Sequence, residues 1–174
     1  MGSSIIKRLG DYERCNPWNK IRCRQRTKIS GQSGLGIRGI EPLAEMLIQT
    51  HKPSTVIIHA GANDIGALSG YEWKMGIKTV ARNLKKKFPA ILFVWSDMLP
   101  RLKWLHHNTK EAEKKRRRYQ RVAREAFHSN GGTWVTHPSM QIDKSLISWD
   151  MVHHTDEGHQ QLLRDFERFI RSIE

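Results

Sequence analysis

The stretch that decides the fold is Val56-Ile57-Ile58-His59-Ala60-Gly61-Ala62-Asn63-Asp64, a short apolar run that ends in a Gly-x-Asn-Asp turn. Pro53 and Gly61 bound the run, and an apolar segment of this length is typical of a strand buried on both faces. Ligands of open α/β sheets bind just past the carboxyl ends of the strands. The sequence therefore places Asn63 and Asp64 where a site is expected, although both residue types also build ordinary turns.

Strand-like and helix-like segments alternate along the rest of the chain. The patterns predict strands at 55–60, 90–95 and 133–136, and the strict alternation of basic residues predicts another at 21–28. Helices are predicted from Ser3 or Ser4, from Pro42 to about Thr50, and at 73–88, 109–129 and after Thr155. This alternation predicts an α/β fold: a three-layer α/β/α sandwich with a central parallel sheet, flavodoxin-like, forming a single domain over residues 1–174.

The composition limits the class of protein. The chain has 174 residues, of which 38% are hydrophobic, and it contains only two cysteines, Cys15 and Cys23. Two cysteines are too few for a disulfide framework or a four-ligand zinc site. We find no segment approaching the roughly 20 apolar residues that span a bilayer, and residues 1–9 lack the apolar core of a secretory signal. We therefore expect an intracellular protein, cytoplasmic or nuclear, without a membrane span.

The positive charge is large and localised. The formal net charge is +13. Residues 1–30 carry eight lysines and arginines against two acidic residues, and residues 110–125 carry eight against three. Such segments favour polyanions, so the sequence predicts nucleic-acid contact through residues 7–28 and 110–124. The alternative for the run Lys114-Lys115-Arg116-Arg117-Arg118 is a solvated helix face.

Asp150 and His153 lie three residues apart just before the last predicted helix. A carboxylate that accepts a hydrogen bond from one ring nitrogen fixes the tautomer, so that the other nitrogen can act as a base. A hydroxyl nucleophile would complete a triad, and Ser4 is a candidate because it starts a predicted helix. Asn63 is a neutral donor suited to stabilising developing negative charge. The alternative is that Asp150 and His153 form a structural pair.

A metal cluster is a second alternative for this region. Asp150, His153, His154, Asp156 and His159 are all residue types that bind metals. However, the sequence contains no zinc motif such as His-Glu-x-x-His, and the last two residues fall at the start of a predicted helix. We therefore predict that the protein needs no metal or organic cofactor.

Four segments together resemble the blocks of the SGNH (GDSL-type) hydrolase family. Gly2-Ser3-Ser4-Ile5 is similar to its first block, Gly-Asp-Ser-Leu/Ile, with Ser4 at the nucleophile. Gly34 is similar to the glycine of the second block, and Gly61-Ala62-Asn63-Asp64 to the third block, Gly-x-Asn-Asp. Asp150-Met151-Val152-His153 is similar to the fifth block, Asp-x-x-His. The order and spacing of these segments agree with the family over nearly the whole chain.

The resemblance implies a serine esterase that hydrolyses a carboxylic ester, with a short acyl or acetyl group, through Ser4, His153 and Asp150. The backbone N–H groups of Ser4 and Gly34 and the amide of Asn63 would form its oxyanion hole. Residues 61–64, 95–101 and 150–154 are most similar to segments of SGNH-like domains in retroelement-derived proteins. The alternative function is a catalytically inactive SGNH scaffold that binds nucleic acid through its basic surface.

The chain departs from the family pattern at three places. Ser3 stands where the family has an aspartate before the nucleophile, and His154 replaces the usual leucine or proline, which leaves the choice of base open by one residue. The family's first strand precedes the nucleophile, and only Met1 lies before Gly2 here. Because that strand is interior in the family's 2-1-3-4-5 sheet, we expect a truncated strand, a gap beside residues 55–60 and unpaired backbone groups.

Overall fold

The computed structural model describes residues 1–104, 108–140 and 143–174. From the sequence we expect His106 and His107 to lie in a surface loop, and both residues lie outside these ranges. The helices are α1 (Ser4–Cys15), α2 (Ile37–His51), α3 (Gly70–Lys87), α4 (Thr109–His128) and α5 (Asp156–Ser172). The strands are β1 (Thr55–Ile58), β2 (Leu92–Ser96) and β3 (Thr133–Val135), and short 3-10 turns lie at Ala62–Asp64 and Lys144–Leu146.

The three strands form a parallel sheet in the order β1-β2-β3. Val56 lies opposite Phe93, and Val94 lies opposite Thr133. Beyond β1, Gly2 makes parallel bridges to His59 on one side and to Gly31 on the other. The lateral order of these five segments is therefore 2-1-3-4-5, the order that the family resemblance implies. The predicted α/β fold, with a parallel sheet between layers of helices, is confirmed.

The predicted gap beside β1 is wrong at the carboxyl end of the strand, because residues 1–3 lie there. The amino group of Met1 donates to the carbonyl of Ile57 at 2.6 Å, and the His59 amide donates to the Met1 carbonyl at 2.9 Å. The Ser3 amide then donates to the His59 carbonyl at 3.1 Å. Three extended residues thus satisfy the backbone groups of β1 nearest the site, as buried N–H and C=O groups require.

Gly2 allows these segments to approach each other closely. Its amide donates to the Ser30 carbonyl at 3.0 Å, and its carbonyl accepts from the Gln32 amide at 2.9 Å. A Cβ atom at Gly2 would overlap the His59 carbonyl and the Ile6 side chain. The absence of a side chain is therefore a steric requirement of this part of the sheet.

Helices cover both faces of the sheet. The core on one face includes residues of α2, α3 and α4, and the core on the other face includes residues of α1 and α5. Along β2, Val94 belongs to the α1/α5 core and Trp95 to the α2/α3/α4 core, so the strand is buried on both sides. The apolar character of the strands, noted in the sequence, follows from this double burial.

Two local predictions are wrong. In the described part of the chain, residues 21–28 form no strand: the Arg22 and Gln25 amides donate to Glu167 and Glu174, which lie on or just after α5. The two glutamate side chains thus accept hydrogen bonds from backbone amides that would donate to a neighbouring strand if residues 21–28 lay in a sheet. Helix α2 begins at Ile37 and not at Pro42, which lies inside the helix. The first turn forms upstream because the Asp64 carboxylate accepts from the Ile37 amide at 3.0 Å.

Candidate active site

Ser4 is the first residue of α1, and the preceding backbone holds it at the carboxyl ends of the parallel strands. Ser3 is extended (φ −74°, ψ −165°) and occupies the N-cap position without a side-chain capping bond, and its amide donates to the His59 carbonyl. Ile5 and Leu9 are buried and anchor α1 against the sheet. The Ser4 hydroxyl therefore lies at the positive end of a helix dipole, next to N–H groups that the helix itself leaves unpaired.

Ser4, His153 and Asp150 form a hydrogen-bonded chain. Nε2 of His153 lies 2.9 Å from Oγ of Ser4, and Nδ1 lies 2.6 Å from Oδ2 of Asp150. The other carboxylate oxygen of Asp150 accepts from the amides of Val152 at 3.0 Å and His153 at 2.8 Å. Because the carboxylate can only accept, the proton on the ring lies at Nδ1 and the Nε2 lone pair faces the serine.

The surroundings of Asp150 keep it ionised. Burial raises its pKa, but the hydrogen bonds from the backbone and side chain of His153 and from the Val152 amide outweigh that effect and lower the pKa to about 2. Arg8 of α1 also lies 3.6 Å from Oδ2, with about half of its side chain exposed. The carboxylate is therefore negative at neutral pH, as the orienting residue of a triad must be.

The structure separates the two neighbouring histidines, which the sequence did not. His153 lies between Ser4 and Asp150, whereas His154 is buried and its ring centroid lies 6.3 Å from that of His159. Burial lowers the pKa of His154 to about 4.

Within residues 1–104, 108–140 and 143–174, no group of three or more histidine, cysteine, aspartate or glutamate side chains is placed to hold a metal ion. The alternative of a metal cluster therefore has no support among these residues.

Asn63 lies in the 3-10 turn after β1, with each end of its amide bonded. Nδ2 donates to the Leu35 carbonyl at 3.1 Å, and Oδ1 accepts from Nη2 of Arg101 at 3.3 Å. The turn starts at Gly61 with φ +90°, a conformation that favours glycine. One N–H of the Asn63 amide is left without a protein partner among the described residues.

Gly34 occupies a tight turn in which the Leu35 amide donates to the Gln32 carbonyl at 3.3 Å. Its φ of +73° explains why glycine stands here, and a Cβ would meet no atom within 4 Å. Among the described residues, the amides of Gly34 and Ser4 have no hydrogen-bond partner. Both N–H groups are thus free to donate to a ligand.

A second serine, Ser96, also bonds to histidine, but it lies in the core. Its hydroxyl lies 2.9 Å from Nδ1 of His59 and 2.7 Å from Nε2 of His137, and Asp165 lies 3.8 Å from the far nitrogen of His137. Ser96 is 0% exposed, so no ester can reach it. Ser96 is the last residue of β2, His59 follows β1 and His137 follows β3. Their hydrogen bonds therefore link three neighbouring strands on the face of the sheet that α1 and α5 cover. Polar residues at matching positions of three strands were the sequence signal for this link, which the sequence analysis missed.

Arg101 is another residue of the site to which the sequence analysis assigned no role. It follows the carboxyl end of β2, is only 5% exposed, and reaches Asn63. A buried arginine at the end of a parallel strand is a signal for function, but burial cannot be read from a loop sequence.

Comparisons with known proteins establish the class of fold. No family model and no curated protein matches the sequence. Among solved structures, a GDSL-like lipase from Bacteroides thetaiotaomicron superposes with a TM-score of 0.74 at 18% identity, covering 100% of this chain and 87% of that one. A family 3 carbohydrate esterase from Clostridium thermocellum gives 0.70 at 18% identity, covering 99% of this chain and 96% of that one.

A third structure, a variant of an acetyl xylan esterase from Geobacillus stearothermophilus, gives a TM-score of 0.65 at 18% identity, covering 93% of this chain and 78% of that one. At such identities the likeness shows the fold alone. The chain therefore has the α/β fold found in GDSL-like lipases and carbohydrate esterases. Among the described residues, no helix is both long and apolar enough to cross a membrane.

Proposed function

We propose that the protein is a serine ester hydrolase of the SGNH (GDSL-type) family that cleaves a carboxylic ester with a short acyl or acetyl group. The observation that carries this proposal is the chain of hydrogen bonds from Ser4 through His153 to Asp150, with distances of 2.9 and 2.6 Å. The fold, shared with lipases and acetyl esterases, agrees with it. Two of the four sequence blocks that resemble the family contain these three side chains, and the other two contain Gly34 and Asn63.

The reaction follows from the roles that these groups can take. His153 removes the proton from Ser4 while Oγ attacks the ester carbonyl carbon, and Asp150 stabilises the imidazolium that forms. The tetrahedral intermediate collapses when His153 returns the proton to the leaving alcohol, which leaves an acyl group on Ser4. Water, deprotonated by the same histidine, then attacks this acyl-enzyme and releases the carboxylic acid, and the proton returns to Ser4.

The oxyanion would accept hydrogen bonds from the Ser4 and Gly34 amides and from Nδ2 of Asn63. All three groups have an N–H without a partner among the described residues. Backbone and amide donors held in place before the reaction need no reorganisation when charge develops. Glycine at position 34 suits this role because it leaves open space where a side chain would begin.

The test is labelling with a fluorophosphonate probe together with hydrolysis of 4-nitrophenyl acetate. We expect the wild-type protein to be labelled and active, and the Ser4→Ala variant to lose both properties. Ser129→Ala changes an exposed serine at the end of α4 and is the matched control. If folded wild-type protein shows neither labelling nor hydrolysis of any short acyl ester, the proposal is wrong.

A second function, binding of nucleic acid, has support from one surface. Helices α3 and α4 pack against each other on one side of the sheet. We define the basic face as their exposed lysines and arginines other than Lys87, which pairs with Glu41 and Glu45: Lys74, Lys78, Arg82, Lys86, Lys110, Lys114, Arg117, Arg118 and Arg121. Cationic side chains this dense on adjacent helices attract a phosphate backbone. Of the two segments predicted from sequence, this face includes the one at 110–124 and adds α3.

The other predicted segment, residues 7–28, is a weaker candidate. Its arginines at 22, 24 and 26 are exposed, but the segment lies against α5, where Glu167 and Glu174 bond to its backbone. Those acidic groups offset its charge. We therefore infer that nucleic acid binds the basic face and not residues 7–28.

Fluorescence anisotropy with labelled single-stranded DNA tests whether the protein binds nucleic acid, because phosphate contacts produce an affinity that falls steeply with salt. Weak binding without salt dependence would contradict it.

A further inference from the structure

Arg101 is a buried cation that forms no ion pair with a carboxylate in the part of the chain that the structure describes. It is 5% exposed, and none of the ion pairs among the described residues includes it. Its Nε atom is buried without a hydrogen-bond partner, and its guanidinium carbon lies 5.1 Å from the centre of the Trp104 ring. Burial lowers the pKa of Arg101 to about 10, and the negative charges of Glu113 and Asp150 offset this cost only in part. A buried charge of this kind is costly, so a compensating role for Arg101 is expected.

Among the described residues, the Arg101 guanidinium forms its hydrogen bond with the amide of Asn63. Nη2 donates to Oδ1 at 3.3 Å, while on the other side Nδ2 of Asn63 donates to the Leu35 carbonyl at 3.1 Å. A flipped amide would place an N–H against the guanidinium, which can only donate, and an oxygen against a carbonyl, which can only accept. Both contacts therefore hold the amide in one orientation.

The segment that carries Arg101 also contacts the loop of Asp150 and His153. The amides of Leu102 and Lys103 both donate to the Met151 carbonyl, at 3.0 and 3.1 Å. Met151 has φ +62°, an unfavourable conformation for a residue with a side chain, and these bonds help to hold it. Residues 101–103 thus join the turn of Asn63 to the loop that supplies the base.

We propose that Arg101 is the positioning residue of the oxyanion hole. It orients the Asn63 amide so that its free N–H faces the reacting carbonyl, and its positive charge polarises that amide into a stronger donor. This inference rests on the proposed esterase function. Arg101 acts through Asn63 and does not itself contact the substrate.

A double-mutant cycle on 4-nitrophenyl acetate hydrolysis tests the inference. Removing one oxyanion donor lowers kcat by about 10²–10³-fold, so we expect Arg101→Met to lower kcat by roughly 10–100-fold while KM changes little. In an Asn63→Ala background, the same substitution should change kcat less than about threefold, because its target is gone. Arg124→Met is the control and should leave kcat unchanged, because it removes a partly buried arginine that pairs with Asp97 and has no contact with Arg101 or Asn63 among the described residues.

The outcomes separate the two proposals. An inactive wild-type protein overturns the esterase proposal and this inference with it. If the wild type is active and a folded Arg101→Met variant has an unchanged kcat, only the inference is overturned. The same holds if Arg101→Met lowers kcat equally in the wild-type and Asn63→Ala backgrounds. If Arg101→Met fails to fold, Arg101→Lys keeps the buried charge but lacks the planar fork. It should then retain part of the kcat in the wild-type background and show no effect in the Asn63→Ala background.

Discussion

Nε2 of His153 lies 2.9 Å from Oγ of Ser4, although the two residues are 149 positions apart. The contact exists because the amino end of α1 and the loop before α5 meet on the same side of the sheet, where the two helices pack together. Neither residue is placed by its own helix alone. Ser4 depends on the backbone bonds of residues 1–3 to β1, and His153 depends on the carboxylate of Asp150.

Replacing Asp150 with asparagine should disable the base with little change of shape. An asparagine side chain would donate to Nδ1 and so favour the tautomer in which Nε2 carries the proton. We expect kcat for 4-nitrophenyl acetate to fall about 10³–10⁴-fold, as loss of the orienting carboxylate does in triads. Asp143→Asn is the control, because it changes an exposed aspartate whose side chain is bonded only to Ser145 among the described residues. Asp150→Asn activity within tenfold of the wild type would contradict the role assigned to Asp150.

The buried histidines should make the protein less stable in acid. Burial lowers the pKa of His137 from 6.5 to about 3 and that of His154 to about 4, and it lowers the pKa of His59 well below 6.5. Below about pH 6.5 the unfolded chain therefore binds protons that the folded protein does not bind. The free energy of unfolding should fall as pH decreases, by about 2 kcal/mol between pH 7 and pH 5 for each such histidine.

Urea titrations at neutral and acidic pH measure this dependence. The variant His137→Gln should show a smaller loss of stability on acidification than the wild type, because one of the groups is gone. His51→Gln changes an exposed histidine at the end of α2 and should leave the pH dependence unaltered. Equal pH dependence in all three proteins would show that His137 is not held neutral in the core.

Adding a methyl group at Gly31 should destabilise the part of the sheet beside Ser4. A Cβ there would overlap the backbone of Lys7 in α1, which cannot move away without shifting the helix. We expect Gly31→Ala to lower the free energy of unfolding by about 3 kcal/mol, which corresponds to a fall in Tm of roughly 6–12 °C. Gly70→Ala is the control, since its Cβ would meet only Tyr119 at 3.4 Å. A thermal melt that shows the same Tm for both variants would contradict this account.

Neutralising three arginines of the basic face should weaken nucleic-acid binding in a salt-dependent way. Each contact to a phosphate contributes about 1 to the slope of log K against log salt. The variant with Arg117→Ala, Arg118→Ala and Arg121→Ala should therefore lose as much as about 3 from that slope. The matched triple substitution Arg22→Ala, Arg24→Ala and Arg26→Ala should change it little. The opposite ranking of the two variants would place the interface on residues 7–28.

Much of the fold was predictable because its signals are local. The predicted strand at 55–60 and the predicted helices at 73–88 and 109–129 agree with β1, α3 and α4 to within about three residues. Hydrophobic periodicity encodes such elements directly, since it records which side of a segment is buried. The wrong prediction at 21–28 had the right alternation of exposure over most of its length but no strand to pair with. Pairing depends on distant residues and cannot be read from the segment itself.

In the candidate site, too, the sequence predicted the local motifs but not the contacts between distant residues. The sequence alone determined the strand–helix alternation, the Gly-x-Asn-Asp turn after β1 and the pairing of an aspartate with a histidine three residues later. Only the tertiary structure decided that His153 and not His154 faces Ser4, that residues 1–3 pair with β1, and that Arg101 holds Asn63. The physical reason is that motifs record short-range geometry. Contacts between loops are set by how helices pack on the sheet, which no local pattern encodes.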